Sequence, residues 1–357
     1  MSRRKPPGTA QAIQHGGLPI GAYGLPRPPA LVPLATAQIA VLRVLGRLEF
    51  LLTPHLALLV YGRVSQRTVW RQLKQLVELG FVWREAINLV PGHRHGAAPT
   101  GLITGDRQRV TPLHQPFVYG LTPEGLAYLQ DVDAEADPGI YDHLHIRDRR
   151  NTRVPLATLV HDLQASWWCS SIIADFRRSR LCAGISAHVE YISHERRRVD
   201  ALVKLHLNPH GAVPLPGPIP WNDGVPRRPE ERDILLALEV DRGTETLKLL
   251  LGKAVCYRDL TREGHYRTTL GGDVIPVFLT PTVRRAAQIA REFQDGWPDG
   301  PGVATTADNA DHAEHGPLWG RYRRMRDGQE TQLLPVTLAQ WQASLRPAAL
   351  PDAVDTA

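Results

Sequence analysis

The sequence predicts an α/β chain, α+β overall, in two compact units: helices with a short strand pair first, then a mixed sheet flanked by helices. Three observations carry this. Apolar residues recur at helical spacing from residue 36 onward and then give way to two short β-like runs. A continuous apolar run, ILLALEV at residues 234–240, ends in Glu239 and Asp241 and passes directly into another helical pattern. Between these lies a polar stretch rich in Asp, Glu and Arg, and a chain of 357 residues has room for about two domains.

Composition limits the classes open to the chain. Hydrophobic residues make up 43%, enough for sizeable cores. Lys and Arg outnumber Asp and Glu by 42 to 36, a net charge of +6 that leans toward a polyanionic partner without deciding for one. The three cysteines, Cys169, Cys182 and Cys256, are widely spaced and follow no metal-ligand grammar, so neither a disulfide framework nor a structural zinc site is expected. The basic start leads into Gly and Pro rather than an apolar signal core, and no run of about eighteen apolar residues occurs. A cytoplasmic protein with no membrane partner is expected.

Residues 1–33 are rich in Gly and Pro and read as a flexible arm. The first unit, 34–131, opens with a helix over 36–52 in which Ile39, Leu42, Leu45 and Leu48 share a face. Thr53-Pro54 announces a second helix, which runs to Tyr61 and stops at Gly62. Ser65 caps a third, SQRTVWRQLKQLVELG, with Val69, Leu73, Leu76 and Val77 on its apolar face and Gln66, Arg67, Arg71, Lys74 and Gln75 facing elsewhere. Gly80 stands where a helix C-cap belongs. Strands follow over 81–90 and 116–121, separated by a loop rich in Gly, His and Arg that includes Arg94, and Thr122-Pro123-Glu124 opens a helix through Leu129.

Three helices followed by a hairpin with a basic loop is the layout of a winged helix-turn-helix. In that layout the third helix enters the major groove of double-stranded DNA and the loop lies against a neighbouring groove or the phosphates. The candidate DNA contacts are therefore Ser65, Gln66, Arg67, Arg71 and Lys74 on the helix and Arg94 on the loop. SxRTVxRxLxxLxExGFVxR and the later YGLTPEG also resemble winged-helix proteins residue by residue. A basic outer helix face is often no more than a solvated one, and winged helices also serve as protein-binding modules.

Residues 132–153 read as a linker, and the second unit spans 154–294. It opens with a long helix to about residue 178, then strand-like runs at 184–193 and 198–207, a Pro- and Gly-rich loop at 208–228, and the apolar strand ending in Glu239. A helix to about residue 260, a strand over 274–279 and a helix over 282–293 complete it. Residues 295–357 are expected to be a partly disordered tail.

Glu239 and Asp241 end a buried run, and an isolated carboxylate in an apolar interior loses several kcal/mol of solvation. A divalent metal, or basic partners such as Arg242, Lys248 and Lys253, should hold them. With Asp200 on the preceding strand, the element order resembles the PD-(D/E)xK restriction-endonuclease-like fold. That resemblance implies that Asp200 and Glu239, with Asp241 beside them and Asp162 on the preceding helix next to His161, hold Mg2+ or Mn2+ if the site is active; otherwise no cofactor is implied. Asp241 stands where the family has its lysine. Lys253 is the candidate replacement, one turn before Tyr257 in a KxxxY spacing similar to the QxxxY of one nuclease branch. Lys248 competes with it but projects about 140° away around the helix.

Taken together, the winged-helix pattern, RRVDA, LEVDRGTE and KxxxY are similar to the replication-relaxation family of plasmid and mobile-element proteins. The resemblance implies a DNA-binding accessory or regulatory protein of replication or mobilisation whose nuclease-like domain lacks its usual lysine. It also implies replication or mobilisation proteins as partners, with a homodimer open. A metal-dependent endonuclease and a winged-helix transcriptional regulator are the alternatives.

Overall fold

The computed structural model describes residues 33–61, 66–86, 117–133, 156–178, 182–189, 192–194, 197–207, 233–306, 317 and 320–344. The expected arm, the loop over 91–115 and most of the linker lie outside the described residues.

Helical spacing near the start yields α1 (Thr36–Leu48), which buries Val41, Leu42, Val44, Leu45 and Leu48. The helix stops four residues short of expectation because Glu49 adopts φ 53°, a turn no helix can continue through. The residues thus released, Leu51–Leu52, form the short strand β1. α2 (Thr53–Leu56) carries Pro54 in its first turn and widens into a π-helix over Ala57–Tyr61. In α3 (Gln66–Glu78), Val69, Leu73 and Leu76 are fully buried, and Gly80 at φ 78° ends the run as a left-handed cap.

β2 (Val82–Ala86) and β3 (Phe117–Leu121) pair antiparallel from Val82 opposite Leu121 to Ala86 opposite Phe117. β1 adds on the other side of β3, giving a three-stranded sheet where the sequence suggested two strands. α4 (Pro123–Asp133) extends beyond Leu129 and its Asp133 is held by the Arg43 guanidinium of α1. Thr122 fixes its start, accepting from the Gly125 N–H at 3.0 Å and donating to the Gly80 carbonyl at 2.7 Å.

The second half is built on a seven-stranded mixed sheet in the order β12-β11-β10-β9-β8-β7-β4. Its strands are β4 (Cys182–Val189), β7 (Ala201–Leu207), β8 (Asp233–Val240), β9 (Gly272–Thr280), β10 (Val303–Thr306), β11 (Tyr322–Arg324) and β12 (Glu330–Thr331). Between β4 and β7 in sequence comes a separate small hairpin, β5 (Ile192–His194) with β6 (Arg197–Arg198). β8, β9 and β10 run parallel, and every residue of β8 and β9 is buried, as expected of strands covered on both faces. Residues 295–357 therefore supply three strands of this sheet rather than only a tail, and they add α8 (Leu333–Ser344).

Alternation along β8 sorts its side chains between two layers. Ile234, Leu236 and Leu238 pack with α5 (Leu156–Arg178) and α8, whereas Leu235 and Ala237 pack with α6 (Leu247–Arg262) and α7 (Val283–Gly296). The cluster on the α5 side continues without a break into Val41, Leu45, Val69 and Leu73 of the first unit. α5 joins the two halves by hydrogen bonds as well: Ser166 Oγ donates to the Leu48 carbonyl at 2.9 Å and Arg177 Nη1 to the Leu59 carbonyl at 3.0 Å. Among the described residues no helix is long and apolar enough to cross a membrane.

Two glycines test this packing in opposite directions. A Cβ at Gly272 would lie 2.4 Å from the Asp233 carbonyl oxygen, whereas one at Gly252 in α6 meets nothing within 4 Å. Gly272→Ala should lower stability by about 1–3 kcal/mol, and Gly252→Ala should raise it by about 0.5–1 kcal/mol. Urea denaturation of the two variants beside wild type checks both signs.

Candidate carboxylate centre at the end of a central strand

The two-residue period of β8 places Glu239 on the α6 side of the sheet, following Leu235 and Ala237. Asp241 continues the ladder through its N–H to the Leu279 carbonyl at 2.9 Å, so the two carboxylates leave the strand on the same face, as their spacing predicts. Only 1% of Glu239 and 4% of Asp241 is exposed. Charges buried this deeply need close partners.

α6 provides those of Glu239. Thr246 caps the helix by accepting from the Leu249 N–H, which sets the rotation that turns Lys253 and Tyr257 inward together, four residues apart. Lys253 Nζ donates to Glu239 Oε2 at 2.9 Å and the Tyr257 hydroxyl to Oε1 at 2.8 Å, so each oxygen has its own donor. Lys253 also pairs with Glu245 Oε1 at 2.5 Å. Lys248 is exposed on the first turn of α6, on a different face from Lys253.

Asp241 has a separate cation, Arg285 in the first turn of α7. Its Nε donates to Oδ2 at 2.5 Å and its Nη2 to Oδ1 at 3.2 Å, while Nη2 also reaches the Glu245 carbonyl at 2.6 Å. Asp241 is thus clamped by a guanidinium.

Asp200 sits just before β7, and its Oδ2 accepts the Val240 N–H at 2.7 Å, which draws it beside the end of β8. On α5, His161 lies between two carboxylates, with Nε2 3.4 Å from Asp200 Oδ2 and Nδ1 3.3 Å from Asp162 Oδ1. Burial alone would lower the His161 pKa, but the hydrogen bonds and charges of Asp162 and Asp200 outweigh it and hold the pKa near 10. Burial would likewise raise that of Asp200, yet the His161 hydrogen bond and charge, the Val240 N–H and the Lys253 charge bring it below the usual carboxylate range. At neutral pH this is an ion pair between an imidazolium and a carboxylate.

The structure thus groups Asp162 and Asp200 around His161, Glu239 with Lys253 and Tyr257, and Asp241 with Arg285, and leaves Lys248 outside these pairs. The donor set does not fit a divalent ion. Among the described residues no three His, Cys, Asp or Glu side chains converge as a metal requires. Both oxygens of Glu239 and both of Asp241 are occupied by Lys253, Tyr257 and Arg285.

On α3, Arg67, Arg71 and Lys74 are exposed, opposite the buried face. Gln66 begins the helix, whereas Ser65 and Arg94 lie outside the described residues. Lys74 meets Glu78 at 3.6 Å, but with both side chains more than half exposed this pair contributes little.

Sequence reasoning did not find Arg285 or Glu245. Arg285 follows a Thr282 cap, and only the parallel pairing of β8 with β9 brings that cap beside Asp241.

The family model described as replication-relaxation matches residues 42–275, more than half of the chain. No curated protein and no solved structure matches.

A pH series tests the His161 pair. Its folded pKa is raised from 6.5 to about 10, so its stabilisation is complete below about pH 6.5 and is lost as pH rises toward 10. The stability advantage of wild type over His161→Asn should therefore shrink between about pH 7 and pH 10 in urea denaturation. An advantage that does not change with pH would mean a neutral imidazole.

Proposed function

The chain belongs to the replication-relaxation family, and from that membership we propose that it is a DNA-binding accessory protein of plasmid or mobile-element replication or mobilisation. The exposed basic face of α3 contacts duplex DNA, and the nuclease-like carboxylate centre supports the fold without cutting. What carries the reading is the two-sidedness of α3: Val69, Leu73 and Leu76 are fully buried, while Arg67, Arg71 and Lys74 face solvent. A 13-residue helix is about 20 Å long, long enough to lie in a major groove. The three helices and the three-stranded β1-β3-β2 sheet support reading this unit as a winged helix-turn-helix.

The reading of the second half follows from its charge arrangement. Hydrolysis by a nuclease of this class needs carboxylate oxygens open to a metal and a lysine free to orient water. Here Lys253 is bound to Glu239 and Glu245, and Arg285 covers Asp241. One observation favours the endonuclease alternative: Lys253 lies 2.9 Å from Glu239, close to where a water-orienting cation would act.

One experiment separates the two. Binding of labelled duplex DNA should weaken with salt, and Arg67→Ala with Arg71→Ala should lower affinity and reduce the log–log salt slope by about 2. Supercoiled plasmid incubated with Mg2+ or Mn2+ should be cut no faster by wild type than by Asp200→Asn or Glu239→Gln. Cutting by wild type that both variants lose would replace the accessory reading with the nuclease.

A further inference from the structure

α3 carries one exposed residue that its charge does not explain. Trp70 is 45% exposed, although a tryptophan gains from being covered, and it lies where the basic face borders the apolar one. At about 100° per residue, Lys74, Arg67 and Arg71 lie roughly 40°, 60° and 100° to one side of Trp70, with Arg67 about one turn before it and Lys74 about one turn after it along the axis, while the buried Leu73 lies on its other side. Lys74 Nζ stands 5.9 Å from the ring centroid, close enough to bias the ring orientation by cation–π attraction. Among the described residues the other exposed large apolar ones, Val132, Leu247, Leu249 and Val283, lie on other elements.

We propose that Trp70 is a base-reading residue whose indole packs on thymine methyl groups in the major groove while Arg67, Arg71 and Lys74 hold the flanking phosphates. This rests on the DNA-binding reading of α3 and adds a specificity to it. The cation row selects a polyanion over a protein partner. Within a duplex, the thymine C5-methyl is the one apolar group displayed on base edges in the major groove. With Arg67 about one turn before it and Lys74 about one turn after it along the axis, the ring meets that methyl when the helix lies in the groove and the cations beside it meet the adjoining phosphates.

The test uses the full chain and three duplex polymers, poly(dA-dT), poly(dA-dU) and poly(dG-dC), with oligo(dT) as a single strand, followed by competition against a labelled duplex. Wild type should prefer poly(dA-dT) to poly(dA-dU) by about threefold to fourfold for each methyl contacted, since a buried CH2-sized group is worth about 0.8 kcal/mol. Trp70→Ala should lose about tenfold on poly(dA-dT), keep the wild-type salt slope and no longer distinguish dT from dU, while Trp70→Phe should retain part of the preference. Equal wild-type binding to the dT and dU polymers would overturn the inference, and the DNA-binding reading would survive if Arg67→Ala with Arg71→Ala still weakens binding. Tighter binding of oligo(dT) than of any duplex would overturn it in favour of stacking on unpaired bases. Absence of binding to every duplex would remove both readings.

Discussion

Glu239, buried near the end of the central strand β8 and held by Lys253 and Tyr257, is the constraint on which much else depends. A carboxylate in this place is tolerated only if both its oxygens are satisfied, and removing the charged partner of such a pair typically costs about 3–5 kcal/mol. That requirement fixes α6. The helix must start where Thr246 can cap it and turn so that residues 253 and 257 point at the sheet. With α6 so placed, Glu245 meets Lys253, and the carbonyl of Glu245 accepts from Arg285, which holds Asp241. Three elements, β8, α6 and α7, are thereby locked at one corner by charges.

α5 carries that corner to the other half of the molecule. Its first turns present His161 to Asp200, its middle is bonded to the end of α1 through Ser166, and its far end is bonded to Leu59 through Arg177. The same helix lies in the hydrophobic cluster that runs from β8 into α1 and α3. Interiors packed at this density transmit displacement rather than absorb it. The position of α3 relative to the carboxylate centre is therefore set by packing.

Much of this was legible in the sequence where the signal was local. Helical spacing marked α1 and α3, and the apolar run that closed in Glu239 announced β8. Lys253 and Tyr257 could be paired with it because one turn of helix separates them. Arg285 could not: it lies 44 residues from Asp241, and only the parallel register of β8 and β9 makes them neighbours. β10 escaped notice because VATT at 303–306 is four residues long and follows a Gly- and Pro-rich turn, too little for a period to show. The end of α1 depended on a single positive φ at Glu49, which propensity does not signal.

The corner has an alternative occupant, a divalent ion, and the two cannot share the same oxygens. Titrating Mn2+ into the protein near pH 7.5, with free ion measured by electron paramagnetic resonance, separates them. If His161, Lys253 and Arg285 answer the carboxylates, wild type and Asp200→Asn should leave the same amount of Mn2+ free across the titration. One ion bound per wild-type chain, and lost in Asp200→Asn, would contradict the internal pairing and restore the centre as a metal site.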